Sequence, residues 1–176
     1  MHAFNQRGSR ALELEARVEA IAKVNAQYLH GDCHLFAMLL AQTLHRPIAA
    51  LVVFDGDIQK PALEHAMVFL HEDHSQIAVD IRGMRSLKAI CDDFESGHEA
   101  ELVWMSPIRL LEMAEGTKEI TPAIWSRLKQ AAPIVSQIAE LARLQWADSY
   151  HNIPFPGQAA PLAAQETAPR KRRFAA

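Results

Sequence analysis

At 176 residues, with 49% hydrophobic and 22% charged residues, the chain has the size and composition of one soluble globular domain with a substantial core. A net charge of −3 removes any electrostatic case for nucleic acid or a membrane surface, and no apolar run approaches the roughly 20 residues of a membrane span. The two cysteines, Cys33 and Cys91, cannot build a disulfide framework, so both are expected to be reduced in a cytoplasmic protein.

Met1 to Arg10 lack the apolar region of a signal peptide, although export by a route that needs none stays open. Residues 11–28 put Leu14, Val18, Ile21 and Ala22 on one helical face, with Glu and Arg opposite. A second helix, apolar nearly all round, is expected over 33–45 and stopped by Arg46-Pro47. Ile48 to Phe54 is a continuous apolar run, short enough to be a central strand, and Asp55-Gly56-Asp57 marks a turn. Segments 63–70 and 76–82 read as an antiparallel hairpin about the polar turn His71 to His74, ended by Gly83. A short helix over 86–95 and a short strand over 101–104 follow. Ser106-Pro107 and Thr121-Pro122 each combine an N-cap with proline at the first helical position, introducing helices over 107–115 and 122–147, the longer kinked at Pro133. From Asn152 onward Pro and Ala dominate. The expected organisation is therefore one α+β domain over 1–151, a small antiparallel sheet flanked by helices, and a disordered basic tail over 152–176.

The chemistry centres on Gly31-Asp32-Cys33. Asp32 is a good N-cap, which sets Cys33 at the positive end of a helix dipole, where the thiolate is favoured. With a four-residue turn over 71–74, Leu70 pairs with Ser75 and His65 falls directly opposite Asp80. Met67, Phe69 and Ala78 share that sheet face. Ala66, Val68, Leu70, Ile77, Val79 and Ile81 take the other, so helices should cover both. Cys33, His65 and Asp80 then form a nucleophile–base–orienter set. The backbone N–H of Cys33 and the side-chain amide of Gln27, six residues upstream, are candidate oxyanion donors.

In this respect the chain resembles the papain-like and transglutaminase-like cysteine enzymes. The matching features are the order Cys33, His65, Asp80, a cysteine opening a buried helix, and His and Asp on successive strands. The Gln27-to-Cys33 spacing is that of the papain oxyanion glutamine, and the His65–Asp80 separation resembles that of arylamine N-acetyltransferases and some bacterial effector proteases. The resemblance covers roughly 27–83, without the C-G-S-C-W sequence of papain or the arginine-glycine-glycine stretch of the acetyltransferases. It implies one helix packed on an antiparallel sheet and thiol acyl chemistry: a peptidase, amidase or acyltransferase working through a Cys33 thioester on a peptide, amide or acyl substrate.

Nine histidines raise a metal reading, with His30, Cys33 and His34 close together and His71 and His74 in the turn. Pairs such as C-x2-C are lacking, so no metal or cofactor is expected. Cys91 stands beside Asp92 and Asp93, whose charge disfavours a thiolate, and reads as structural. Arg170, Lys171, Arg172 and Arg173 are four charges on a tail, too few to argue for nucleic acid. The rival function is a catalytically inactive protein that keeps the fold for binding or assembly.

Overall fold

The computed structural model describes residues 2–54, 61–71, 76–94, 100–150 and 155. Six helices and five strands run in the order α1 (His2–Val24), α2 (Gln27–His30), α3 (Cys33–Leu44), β1 (Ile48–Val53), β2 (Ala62–His71), β3 (Ile77–Asp80), β4 (Gly83–Ser86), α4 (Leu87–Asp92), β5 (Ala100–Met105), α5 (Pro107–Glu115) and α6 (Pro122–Ser149). The strands form one antiparallel sheet, ordered β4-β3-β2-β1-β5. This is a mixed helix-and-sheet architecture, and among the described residues no helix is long and apolar enough to cross a membrane.

β1 is buried at every position because it lies between β2 and β5 and both faces of the sheet are covered. On one face Ile48, Ala50, Ala66, Val68 and Val79 pack under α1, α3 and α6. On the other Ala49, Met67, Phe69 and Ala78 pack against Leu87 and Ile90 of α4 and against Trp104. The alternation of strand side chains makes the two cores separate sets. α1 contributes Leu14, Val18 and Ala22 at four-residue spacing to the larger core. α3 ends on His45, which takes the left-handed conformation (φ 53°) that glycine usually supplies, before Pro47 bars continuation.

The hairpin register differs from the expectation. β2 and β3 pair Val68 with Val79 and Phe69 with Ala78, and then His71 with Ile77 across a bulge at Leu70. The connection is thus five residues, 72–76, and the ladder is displaced by two residues from the one in which Leu70 meets Ser75. A shift of two preserves side-chain parity, so the two faces are composed as expected. The segment expected as one strand over 76–82 is also divided. β3 stops at Asp80, Ile81 and Arg82 make a tight turn, and β4 returns with Gly83 paired to Asp80. Gly83 is required there on two counts. Its φ is +80°, and a Cβ would come 2.9 Å from Gln145 Oε1 of α6 and 3.0 Å from Val18 of α1.

Ser86, Ser106 and Thr121 cap α4, α5 and α6 through their hydroxyls, accepting from the N–H groups of Ala89, Arg109 and Ile124. α6 is assigned as one helix through Pro133. Phe155, within the segment expected as tail, is buried and meets Trp146 edge-on at 5.9 Å. The rest of that segment, the Asp55-Gly56-Asp57 turn and residues 72–75 lie outside the described residues.

Candidate active site

His65 and Asp80 meet, though not as direct cross-strand partners. Continuing the β2–β3 ladder brings Asp80 opposite Met67, so His65 is its diagonal neighbour on the same face, within reach of a long side chain. A bulge in the β1–β2 ladder, where Leu51 pairs with His65 but Val52 with Leu63, lies immediately beside it. His65 Nε2 is 3.1 Å from Asp80 Oδ2, with both residues almost wholly buried. Since the carboxylate can only accept, Nε2 carries the proton. Nδ1 is then a bare acceptor, and it is buried with no hydrogen-bond partner. An unmet buried acceptor costs about 1–3 kcal/mol.

Two further residues complete this cluster, neither of them anticipated from the sequence. Arg82, at the corner of the β3–β4 turn, gives Asp80 a backbone N–H at 2.7 Å and guanidinium bonds at 3.0 Å from Nε, and it also binds Asp93. Phe94 stacks on the His65 ring at 4.2 Å, with Arg82 over its own ring at 5.3 Å. Burial raises the Asp80 pKa, but the bonds from His65 and Arg82 outweigh it and hold the group at about 2. The only signal for Arg82 is its position two residues after Asp80, and Phe94 falls within the segment expected as helix over 86–95, whereas α4 ends at Asp92.

Cys33 opens α3 as expected, but its electrostatics are reversed. Asp32 occupies the N-cap position without capping; its carboxylate turns away to Arg127 of α6. Cys33 is 5% exposed, and burial pushes its thiol up to about 11 against the opposing pull of the N–H groups of Ala66, His34 and Cys33 itself. Desolvation wins over the helix terminus. Cys33 and His65 make no hydrogen bond: Cys33 packs in the core with Ala66 and Val68, its sulfur faced by the Ala66 N–H, whereas His65 lies on the opposite strand face with Met67 and Phe69 and stacks on Phe94.

Gln27 is exposed and its side chain engages the Tyr28 hydroxyl; its backbone carbonyl accepts from Gly31 at 3.0 Å and Asp32 at 2.8 Å and so shapes the turn into α3. Its amide therefore makes no bond at Cys33. Cys91 is half-buried, with its thiol raised first by burial and then by Asp92, while Asp93 is taken up by Arg82 and Arg85. Both cysteines are free thiols.

His34, adjacent to the nucleophile candidate, is buried and bound to Glu115 Oε1 at 2.7 Å. Among the described residues no three His, Cys, Asp or Glu side chains are grouped to hold a metal ion. His74 and the side chain of His71 lie outside the described residues. A cavity of about 650 Å³ opens between α1 and β4, lined by Val18, Ala22, Leu29, Arg82 and Met84 among others. Arg82, which binds Asp80, lines it, and Cys33 does not. No family model matches this chain, nor does any curated protein or solved structure.

Proposed function

We propose that the chain is a cysteine-dependent amide or ester hydrolase, or an acyltransferase, with Cys33 as nucleophile, His65 as base and Asp80 as orienter. The observation that carries this reading is the state of the His65 ring. One nitrogen is committed to a carboxylate, the other is a buried, bare acceptor, and the neighbouring N–H faces the cysteine sulfur. An acceptor so held can take a proton only from something brought to it. Here His65 Nδ1 takes the thiol proton and the sulfur attacks a carbonyl carbon. The oxyanion is met by the N–H groups of the helix start, and the leaving group departs with the proton from Nδ1. Water or an amine then cleaves the thioester. A thiol near 11 leaves on the order of one thiolate in ten thousand at pH 7, so this chemistry depends on the base rather than on a preformed thiolate.

The resemblance to papain-like and transglutaminase-like enzymes belongs to this reading. It is supported by the chain order, by the cysteine at the first residue of α3 and by His65 and Asp80 on adjacent antiparallel strands. One observation favours the rival, a binding or assembly protein that keeps this arrangement without turnover: Cys33 is buried and the cavity opens elsewhere.

An acyl-electrophile probe with peptide mapping separates the two. The expected result is labelling of Cys33 ahead of Cys91, slowed at least tenfold in His65→Ala and slowed in Asp80→Asn. Labelling of Cys91 alone in folded protein, or Cys33 rates indifferent to both substitutions, would sink the catalytic reading.

A further inference from the structure

The two residues flanking Cys33 leave the start of α3 in different directions and finish on the same pair of side chains. Asp32 Oδ1 accepts from Arg127 Nε at 3.1 Å and from Nη2. His34 Nε2 lies 2.7 Å from Glu115 Oε1, and Arg127 Nη1 lies 2.8 Å from that same oxygen. The result is a closed ring, Asp32–Arg127–Glu115–His34, whose final link is the Cys33 backbone. His34 Nδ1 also lies 3.1 Å from the Gly31 carbonyl, on the turn that leads into the helix.

We propose that Glu115 and Arg127 are positioning residues for Cys33: the last turn of α5 and the first turns of α6 clamp both of its neighbours and offset the Asp32 charge beside its sulfur. This rests on the reading of Cys33 as nucleophile.

Three observations support it. First, Asp32 forgoes the cap its position offers in favour of a charge-assisted pair to a distant helix. Second, the ring is only partly buried, with Arg127 at 33% and Asp32 at 22% side-chain exposure, so its contribution to stability is modest while its geometric constraint is strict. A reacting atom at a helix start, where ends fray, needs that constraint. Third, Asp32 acts against the Cys33 thiolate, and Arg127 is the cation bound to Asp32. Asp32 is the charged group that acts on the sulfur; His34 follows Cys33 in the chain, and Glu115 of α5 and Arg127 of α6 face these two neighbours.

The test is the iodoacetamide alkylation rate of Cys33 from pH 7 to 10, in the full chain carrying Cys91→Ser so that one thiol reports. Arg127→Gln is expected to lower the rate about tenfold at each pH, the effect of one unit on a thiol. Adding Asp32→Asn to Arg127→Gln is expected to restore most of it, because the charge that Arg127 offsets is then gone. A purely structural role gives no such rescue. Rates in Arg127→Gln equal to or above those of the parent, or a loss that Asp32→Asn does not recover, overturn the proposal. If Arg127→Gln fails to fold, Glu115→Gln decides in its place: slower alkylation with a melting temperature near the parent's is expected, and an unchanged or faster rate overturns it. Iodoacetamide needs no acyl chemistry. A clamp effect without acyl-probe labelling therefore refutes the function while leaving the clamp, and the converse pattern refutes the clamp alone.

Discussion

The molecule holds two chains of the same chemical sequence, histidine–carboxylate–arginine–carboxylate. His65–Asp80–Arg82–Asp93 is assembled within 28 residues of one another around the β3–β4 turn, and its first two members are buried. His34–Glu115–Arg127–Asp32 is built from partners 81 and 95 residues apart and reaches the surface at its arginine. The decisive difference is in the rings. Both nitrogens of His34 face acceptors, the Gly31 carbonyl and Glu115, whereas His65 has one nitrogen bound and one bare. Identical residue types thus stand in different environments, one ring between two acceptors and the other with a single partner. What separates them is that both His34 nitrogens have a polar neighbour, of which a neutral ring can donate to one, while the second His65 nitrogen has none.

The largest expected effect distinguishes the two chains by burial. Asp80→Ala strips the partner from a buried imidazole and from Arg82, and should cost about 3–5 kcal/mol by urea denaturation. Glu115→Ala, at a partly exposed position, should cost about 1 kcal/mol. Equal losses would erase the contrast.

Acid titration provides the second separation. Asp80 sits at about 2 in the fold against an ordinary 3.8, so its contribution is fully present above 3.8 and disappears as the pH falls towards 2. It amounts to about 2 kcal/mol. Burial holds His34 below its ordinary 6.5, more strongly than Glu115 raises it. Stability from neutral His34 is therefore complete above 6.5 and declines as the pH falls through its lower folded value. Stability measured against pH should show two distinct descents, with Glu115→Gln altering only the upper one. A single descent below pH 4 would remove the distinction. The smallest effect belongs to the thiol: Cys33→Ala should change stability by about 1 kcal/mol or less while abolishing acyl labelling, checked by melting temperature and mass spectrometry together.

Much of this was legible from patterning. Alternation along 63–70 and 76–82 separated the two sheet faces correctly, and the Ser106 and Thr121 caps marked the last two helices where they begin, while the Ser86 cap of α4 went unread. The pairing of His65 with Asp80 was reached through a register two residues from the true one. It held because a displacement of two leaves every side chain on its face. The bulge at Leu70 has no signature in an apolar run, and neither does the break after Asp80 that creates β4. Asp32 illustrates the limit of local rules, since capping propensity cannot foresee an arginine 95 residues away. Likewise, the helix terminus argued for a thiolate at Cys33, while the burial that pushes the thiol up depends on strands and helices packed around it. Phe155 is a further case, a lone aromatic in a Pro- and Ala-rich stretch that packs on Trp146.

α6 touches both sides of the candidate site. Near its start Arg127 holds Asp32, and near its end Gln145 accepts the Met84 N–H at 3.0 Å beside the glycine of the β3–β4 turn. Eighteen residues of α-helix between those anchors span about 27 Å, so one rod gauges the separation of the cysteine's turn from the turn that carries Arg82. Pro133 lies between the anchors, where the rod lacks one of its internal hydrogen bonds. The two turns are therefore tied to one helix whose backbone lacks one donor between them.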